Sequence, residues 1–556
     1  VGHYIRWQAI IAGSGIVLLV SLLFVLTVSR TTVVVPDFGG TYVEGLAGAP
    51  QYVNPVFSQY NQVDQDLVAL IFNGLTRADP WGEPQPDLAA DWTISEDGLV
   101  YIFHLRDDVH WHDGVSFTAD DVLFTISVMQ DPGYQGPPYL ADLWRSVQVE
   151  KEGDYTVRFT LQEPFLPFLD YTTIGILPSH LLAGVAPEQL LRHPFNTQPV
   201  GTGPFQLAEL TPEHALLTAN RRYHGPTGYI GRIEFRFYPD YQSLLPAYER
   251  GEIMGLSRVL PRDIERVRAL PDLQLFSARL SGYTMVYLNL RSEEMPLFQE
   301  VEVRRALLMG LDRQRLIDEV LKGQGLVADS PILPDTWAYT DKVQRYPYDP
   351  EKANGLLDQT GWVDSNGDGI RDREGNPFSF TILTSDDPIQ ADLADAIAEQ
   401  WLLIGVQARR ETAGATLTAR LRAGEFEAAL IELLISGDPD PYPLWHQTQS
   451  EGGQNYAGYD NSELSAAIEE ARRITDLPRR KELYERFQEI FTAEVPALLL
   501  YYPIYTYAVD KRVAEVQLAP LLEAKDRFRN IADWYMVTKR VIVSEAQKEG
   551  RGAITP

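Results

Sequence analysis

From Ala9 to Val28 the chain is almost continuously apolar, and no charged residue falls between Arg6 and Arg30. Twenty helical residues rise about 30 Å, enough to cross the hydrocarbon core of a bilayer. The run therefore predicts a transmembrane helix. A cleavable signal peptide is the rival reading, but its apolar region usually covers about 7–15 residues and ends at a small-x-small site. Here the run is longer and closes with Thr27-Val28-Ser29-Arg30, without a clear Ala-x-Ala. An uncleaved anchor is the favoured reading. His3 and Arg6 precede the run, so positive-inside bias, partly offset by Arg30, puts the tail in the cytoplasm and the large part outside.

Beyond the run, Thr31–Gly40 reads as a linker and the pattern then alternates between strand and helix periods. Gly40–Gly45, Val100–Leu105, Tyr155–Leu161 and Ile233–Tyr238 read as strands, with Asp97-Gly98 as a hairpin turn. Asn54–Phe57 reads as a turn. Asp64–Phe72 carries Leu67, Leu70, Ile71 and Phe72 at helical spacing and stops before Gly74. Thr118 and Asp121 stand at capping-box spacing and open another helix. Val301–Leu321 predicts one long amphipathic helix with Ala306, Leu307, Leu311, Leu316, Ile317 and Val320 inward. Gln390–Leu403, Leu464–Ile474 and Arg479–Phe491 predict further helices, and Val495–Val509 a tyrosine-rich strand region. Strict βαβ alternation is missing, so the class is α/β, mixed with α+β, in several lobes. The polar end, 541–556, reads as a frayed tail.

Composition narrows the possible functions. The 556 residues hold 77 acidic and 48 basic side chains, a net charge of −29, and no cysteine. That charge argues against general nucleic-acid binding, which needs a basic face. Without cysteine there is no disulfide, no thiol nucleophile and no lipid on a cysteine. Tyr, Phe and Trp together number 60, ample for lining a cleft.

One stretch is far more specific. Leu88-Ala89, Trp92, Asp97-Gly98, Phe103-His104-Leu105-Arg106, His112-Asp113-Gly114 and Asp120-Asp121-Val122 follow one another closely. This order resembles the signature of the family 5 extracellular solute-binding proteins, the oligopeptide, dipeptide and nickel receptors of ABC importers. Other blocks resemble the same family: Asn54-Pro55 with Gly74-Leu75, Pro199–Phe205, Val303–Leu307 with Leu311-Asp312-Arg313, Tyr348–Ala353, Asn455–Tyr459 and Arg480–Tyr484. The resemblance spans about residues 40–540. It implies a periplasmic-binding-protein-like fold of two lobes with an extra domain in the first. By that analogy 31–80, 200–288 and 506–540 form lobe I, 81–199 the inserted domain and 289–505 lobe II. Residues 1–30 form the anchor or signal. Crossings near Leu288–Arg291 and Tyr502–Tyr507 would form the hinge.

The resemblance also implies a function without chemistry. A peptide or similar elongated small molecule is enclosed between closing lobes and handed to ABC permease subunits. No nucleic acid and no cofactor is implied, and the chain is expected to be a monomer outside the membrane. In the peptide-binding branch, an Asp three positions before an acidic residue–Pro pair takes the ligand ammonium. Aligned on Asp440-Pro441, that position is Gly437, and Asp438 comes one residue late. Either Asp438 has moved in, or the ligand lacks a free ammonium, or Asp438 and Asp440 are turn residues. Gln59 and Tyr60 stand where the family's first loop reaches the cleft. Tyr283, Tyr287 and Asn289 lead to the expected hinge, and Trp445 and His446 follow the Asp-Pro loop. These nine positions, Asp438 and Asp440 among them, are the candidate ligand residues, with core packing as the plainer alternative for each ring.

Other chemistry is weakly signalled. His110, His112 and Asp113 have metal-ligand spacing on a strand, but His-Asp-Gly belongs to the family signature whatever the ligand. Asp364, Asn366, Asp368 and Gly369 match half a calcium loop, yet its twelfth position is Gly375. No metal is therefore expected. No nucleophile elbow, zinc-protease motif or phosphate loop occurs, so an enzyme is not expected. A metal-chelate receptor, or an anchored sensor or chaperone without transport, is the alternative.

Overall fold

The computed structural model describes residue 7 and residues 13–22, 32–291, 296–435 and 437–542. Residues 13–22 are helical. Among the described residues no helix is long and apolar enough to cross a membrane. The rest of the Ala9–Val28 run, and 543–556 of the expected tail, lie outside the described residues.

The large sheet is organised by one long strand, Ala497–Asp510, which is buried along nearly its whole length. Its first half pairs antiparallel with Gly282–Leu288 and Gly325–Val327. Its second half pairs with Leu273–Arg279 and Gly255–Leu256. Gly39–Ala47, Ile230–Tyr238, His214–Ala219 and Phe205–Leu210 continue the sheet on the second side. Ala428–Leu434, Ser379–Thr384 and Gln407–Thr412 continue it on the first. The result is a mixed α/β fold of two lobes on one shared strand. Where the strand passes from one lobe to the other, its register against Gly282–Leu288 shifts between Thr284 and Met285. Pro503 follows, with no N–H to give. A bulge and a proline both bend a strand.

A four-stranded antiparallel sheet, Ala89–Ile94, Val100–Leu105, Thr156–Thr160 and Gln148–Gly153, lies between the Gly39–Ala47 and Phe205–Leu210 strands in the chain. The Ala119–Gln130 helix packs against it, and the Thr118 N–H donates to Asp121 Oδ2 at its start. This insert shares one apolar core with the first lobe, from Phe103, Trp144 and Phe159 to Phe235 and Trp534. The second lobe has cores on both faces of its sheet, around Ile382 and Trp401 on one and Trp445 and Phe487 on the other.

Three expectations change. Val301–Leu321 is two helices, Val301–Met309 and Arg313–Glu319. The break has one local and one distant cause. Asp312 caps the second helix by accepting from the Arg315 N–H, and its own N–H is taken by Gln400 Oε1 at 2.6 Å. Thr31–Gly40 is not a plain linker: Thr32–Asp37 pairs antiparallel with Val537–Ile542, giving the Val33-Val34-Val35 run a β partner. Val541 and Ile542 thereby leave the expected tail. The Gly282–Leu288 strand, expected on the first side of the crossing, pairs with Ala428–Leu434. Pairing therefore changes sides near Leu280–Ser281, one strand before Leu288–Arg291.

The first lobe holds a fully buried ion network. Arg527 Nε and Nη2 donate to Glu44 Oε1 at 2.9 and 2.7 Å, and Nη1 and Nη2 to Asp66 at 2.7 Å each. Tyr42 and Tyr507 each donate to Glu44 Oε2 at 2.6 Å. Burial pushes the Glu44 carboxyl up, against the pull of Arg527. Arg527→Met would leave two buried carboxylates without their cation. It should cost the first lobe about 3–5 kcal/mol, read from urea unfolding. A loss below about 1 kcal/mol would show that the network is not what fixes the C-terminal segment to the Gly39–Ala47 strand.

Candidate functional site

Beneath the crossing a narrow pocket lies between the lobes, with a closed volume of about 20 Å³. Five parts of the chain build it. Pro80 and Trp81 come from the turn where the first lobe enters the insert, and Arg279, Ser281 and Tyr283 from the crossing. Pro331–Thr336 and Gly437–Leu444 come from loops of the second lobe, and Pro520–Leu522 from the C-terminal segment. Prolines hold these loops without asking for ladder hydrogen bonds.

The seam beside the cleft is polar. The Asp438 N–H donates to Asp170 Oδ2 at 2.6 Å, across from the insert's Phe168–Tyr171 helix. Gly437 makes this approach possible. It has φ +65°, and a Cβ there would overlap the Asp170 carboxyl group. The carboxylate of Asp438 is already engaged by Arg480, through Nη1 and Nη2 at 2.6 Å each. Arg480 also donates to Ala471 O and Tyr484 Oη, and lies over the Trp337 ring at 5.0 Å. Asp440 pairs with Arg472 at 2.8 Å, and Arg472 lies over the rings of Tyr442 and Phe165.

Four acids therefore face two arginines: Glu83, Asp170, Asp438 and Asp440 against Arg472 and Arg480. Burial pushes the Asp170 carboxyl up to about 8, and the neighbouring Asp438 charge adds to the rise against the Asp438 amide and Arg480. Burial likewise holds Asp440 at about 6 against the pull of Arg472. Glu83 is raised by burial and by Asp79 and Asp438.

The candidate residues divide into two groups. Tyr283 and Asp440 line the cleft. Tyr60 is 72% exposed, within electrostatic reach of Arg422 in the second lobe. Gln59, just before it, donates to Pro55 O at 2.9 Å. The others are occupied inside the second lobe. Asn289 Nδ2 donates to Gly424 O and Phe426 O. Tyr287 is fully buried against Trp445 and Tyr456. Trp445 packs on Phe491 and donates to Tyr283 Oη at 3.4 Å. His446 stacks on Tyr442 and bonds Thr448. Asp438, for which an ammonium was one of three readings, is the partner of Arg480.

The metal-like motifs are also occupied. Gly201 N–H donates to His112 Nδ1, leaving Nε2–H for Gly203 O at 3.0 Å. Asp113 pairs with His180. The 364–370 loop closes on itself, with Asp364 accepting from the N–H groups of Gly367 and Gly369. Among the described residues no group of three His, Asp or Glu side chains is placed to hold a metal.

Sequence reasoning missed Asp170, Arg279 and Trp81. Asp170 did carry a signal, as the one charge in the apolar stretch from Pro164 to Ser179. Arg279 carried none, because its position at the crossing depends on the pairing of distant strands.

Residues 83–455 match the model of the bacterial extracellular solute-binding proteins, family 5. The chain is 30% identical to the oligopeptide-binding protein AppA of Bacillus subtilis over 514 residues, 90% of this chain and 92% of that protein. The structure of AppA in complex with a nonapeptide superposes with a TM-score of 0.74, covering 90% of this chain and 100% of that one. Identity to the dipeptide-binding protein of Escherichia coli is 29% over 520 residues, 87% of this chain and 93% of the relative. NikZ of Campylobacter jejuni, in complex with Ni(L-His), matches at 27% identity and a TM-score of 0.75, over 89% and 99% of the two chains.

The Asp170 seam has a pH sign. Its carboxyl stands at about 8 in the contact, against about 4 for an exposed aspartate. Forming the seam thus retains a proton. Its contribution is full below about pH 4, declines as pH rises, and is gone above about 8. Scattering or energy-transfer distances should show the seam more often open at pH 8 than at pH 5, and Asp170→Asn should flatten the difference. Wild-type protein indifferent to pH across that window would refute the assignment.

Proposed function

The chain belongs to family 5 of the bacterial extracellular solute-binding proteins, and from that premise we propose that it captures a peptide or a similarly elongated small molecule between its lobes. It is the extracytoplasmic substrate-binding subunit of an ABC importer, and it is not an enzyme. The observation that carries the peptide reading is the likeness over 90% of the chain to a receptor solved with a nonapeptide, joined to a pocket between the lobes at the shared strand. The chain handles the ligand by enclosure, and the closed form is what the permease recognises.

Tyr60, Tyr283 and Asp440 are the proposed ligand contacts among the candidates. Asp438 holds the wall through Arg480, and Tyr287, Asn289, Trp445 and His446 support it from behind. The proposed lobes are 31–80 with 200–288 and 506–540, and 289–505, with 81–199 inserted and 541–556 as a tail. The pairing of Gly282–Leu288 with Ala428–Leu434 supports moving the first crossing to Leu280–Ser281. The receptor acts as a monomer, tethered to the outer face of the membrane by 9–28. The antiparallel pairing of Thr32–Asp37 with Val537–Ile542 supports this arrangement, since a tether there would pull on a paired strand.

Mass spectrometry of ligand carried through purification should find peptides. Adding them back to stripped protein should lower the radius of gyration, and Tyr60→Ala should weaken binding about tenfold, the loss of one aromatic contact. No compaction with any peptide pool would remove the peptide reading. For the tether, the full chain should stay with membranes through an alkaline carbonate wash, and Leu18→Arg with Leu22→Arg should release it. A wild-type chain that washes off has no such anchor.

A further inference from the structure

Two distant parts of the chain leave the first lobe side by side. Thr32–Asp37 and Val537–Ile542 pair antiparallel, with Thr32 opposite Ile542 and Asp37 opposite Val537. Both strands of this ribbon join the lobe without slack. Only Phe38 separates Asp37 from the Gly39–Ala47 strand, and the Arg221 guanidinium lies over the Phe38 ring at 3.3 Å. On the other strand Met536 precedes Val537, and a Cβ on Gly40 would stand 3.0 Å from Met536 Cβ. Directly opposed residues of an antiparallel pair share a face. One face carries Val33, Val35, Lys539 and Val541, and Val35 is fully buried. The other carries Val34, Thr538, Arg540 and Ile542. The last three are exposed, Ile542 by 51%.

The apolar run ends at Val28, four residues before Thr32. Four residues reach at most about 14 Å, and headgroups extend roughly 5–8 Å beyond each edge of the hydrocarbon. With the run across a bilayer, the Thr32–Ile542 end of the ribbon cannot stand more than about 9 Å clear of the headgroup layer. In a chain of net charge −29 this ribbon is locally basic. It holds Lys539 and Arg540 against one acid, Asp37, which pairs with Lys539 at 3.1 Å. Arg540 forms no ion pair among the described residues. Glu515 and Asp533 lie on the body side of Val537, beside the Ala514–Tyr535 bridge. The ribbon puts about 17 Å between that base and Ile542, twice the Debye length of about 8 Å. An exposed aliphatic tip beside a free guanidinium suits the boundary of a bilayer, with the alkyl group against acyl chains and the cation among phosphates. We propose that the outer end of this ribbon is a second membrane contact, with Ile542 entering the headgroup layer of an anionic bilayer and Arg540 taking lipid phosphate. The proposal rests on the tether reading for what brings the ribbon to the lipid. A single helix leaves a body free to turn about its linker. A second contact, through a ribbon joined to the first lobe by both strands, sets the angle at which that lobe stands over the membrane.

The chain has no cysteine, so one introduced cysteine carries a label alone. Thr538→Cys, on the exposed face of the ribbon, and Glu482→Cys, on an exposed helix of the second lobe, are made in the full chain. Each is labelled with a fluorophore and reconstituted in vesicles of phosphatidylcholine mixed with phosphatidylglycerol. The readout is quenching by spin-labelled lipid headgroups. Quenching at 538 should be at least threefold that at 482. Ile542→Asp with Arg540→Glu should cut the signal at 538 by half or more, and Arg540→Lys alone should keep it. Both positions lie at the open end of the ribbon, away from the cores of the lobes. Equal quenching at 538 and 482 overturns the contact, as does a signal at 538 that the double variant leaves unchanged. In either case protein that resists an alkaline carbonate wash leaves the tether standing. If the chain washes off, the tether reading fails and the unwashed vesicles decide the contact. Quenching at 538 that the double variant abolishes there upholds it, and no quenching overturns it.

Discussion

Both lobes hydrogen-bond to the same strand, Ala497–Asp510, and this constraint governs what the molecule can do. Two bodies on separate strands could slide or rotate freely. Two bodies on one strand can only bend about the place where it is weakest. That place is marked by the register shift opposite Thr284 and Met285 and by Pro503, which interrupts the ladder. Everything that meets across the cleft must then swing about this bend. The residues beside it move least, and Arg279, Ser281 and Tyr283 are among them. The residues far from it, Trp81 and Asp170 on one side and Gly437 and Asp438 on the other, make or break contact.

The seam so formed is mainly polar. Between Asp170 and the 437–438 backbone there is one hydrogen bond, with a carboxyl group that burial makes reluctant to ionise. An apolar seam of the same area would hold the lobes shut without a ligand, because burial of apolar surface is favourable everywhere. A seam of marginal polar contacts leaves closure to be decided by what fills the cleft. The large buried network at Arg527 behaves oppositely. It lies wholly within the first lobe, has both carboxylates bonded to the cation, and keeps the moving body rigid.

How much of this was legible in the sequence depends on how local each cause was. The strand at Val100–Leu105 and the capped helix after Thr118 follow from neighbouring residues, and both form where the pattern places them. The split of Val301–Leu321 does not, because Gln400 supplies part of it from far along the chain. Family resemblance pointed to the fold. It pointed less well to the site, since Tyr287, Trp445 and Asn289 occupy the right region but turn into the lobe behind the wall. Tyr283 and Tyr287 share one face of their strand, so what separates lining from backing is distance along it from the crossing, which the period does not give. Asp438 was conspicuous before Pro439, yet its partner, Arg480, is forty-two positions away.

The net charge of −29 invites the conclusion that such a receptor repels carboxylates. At the distance of a Debye length, about 8 Å at physiological salt, that sum has little force on a buried group. What counts is the balance within the wall. Arg472 and Arg480 are each met by a well-buried aspartate, and both pairs are locally neutral. Arg279 is met by an aspartate that stands half in solvent, on one oxygen only, with a third nitrogen left over. Equal formal charges thus give unequal local fields, because water screens one partner and not the other. The acidic surface keeps the body away from anionic headgroups.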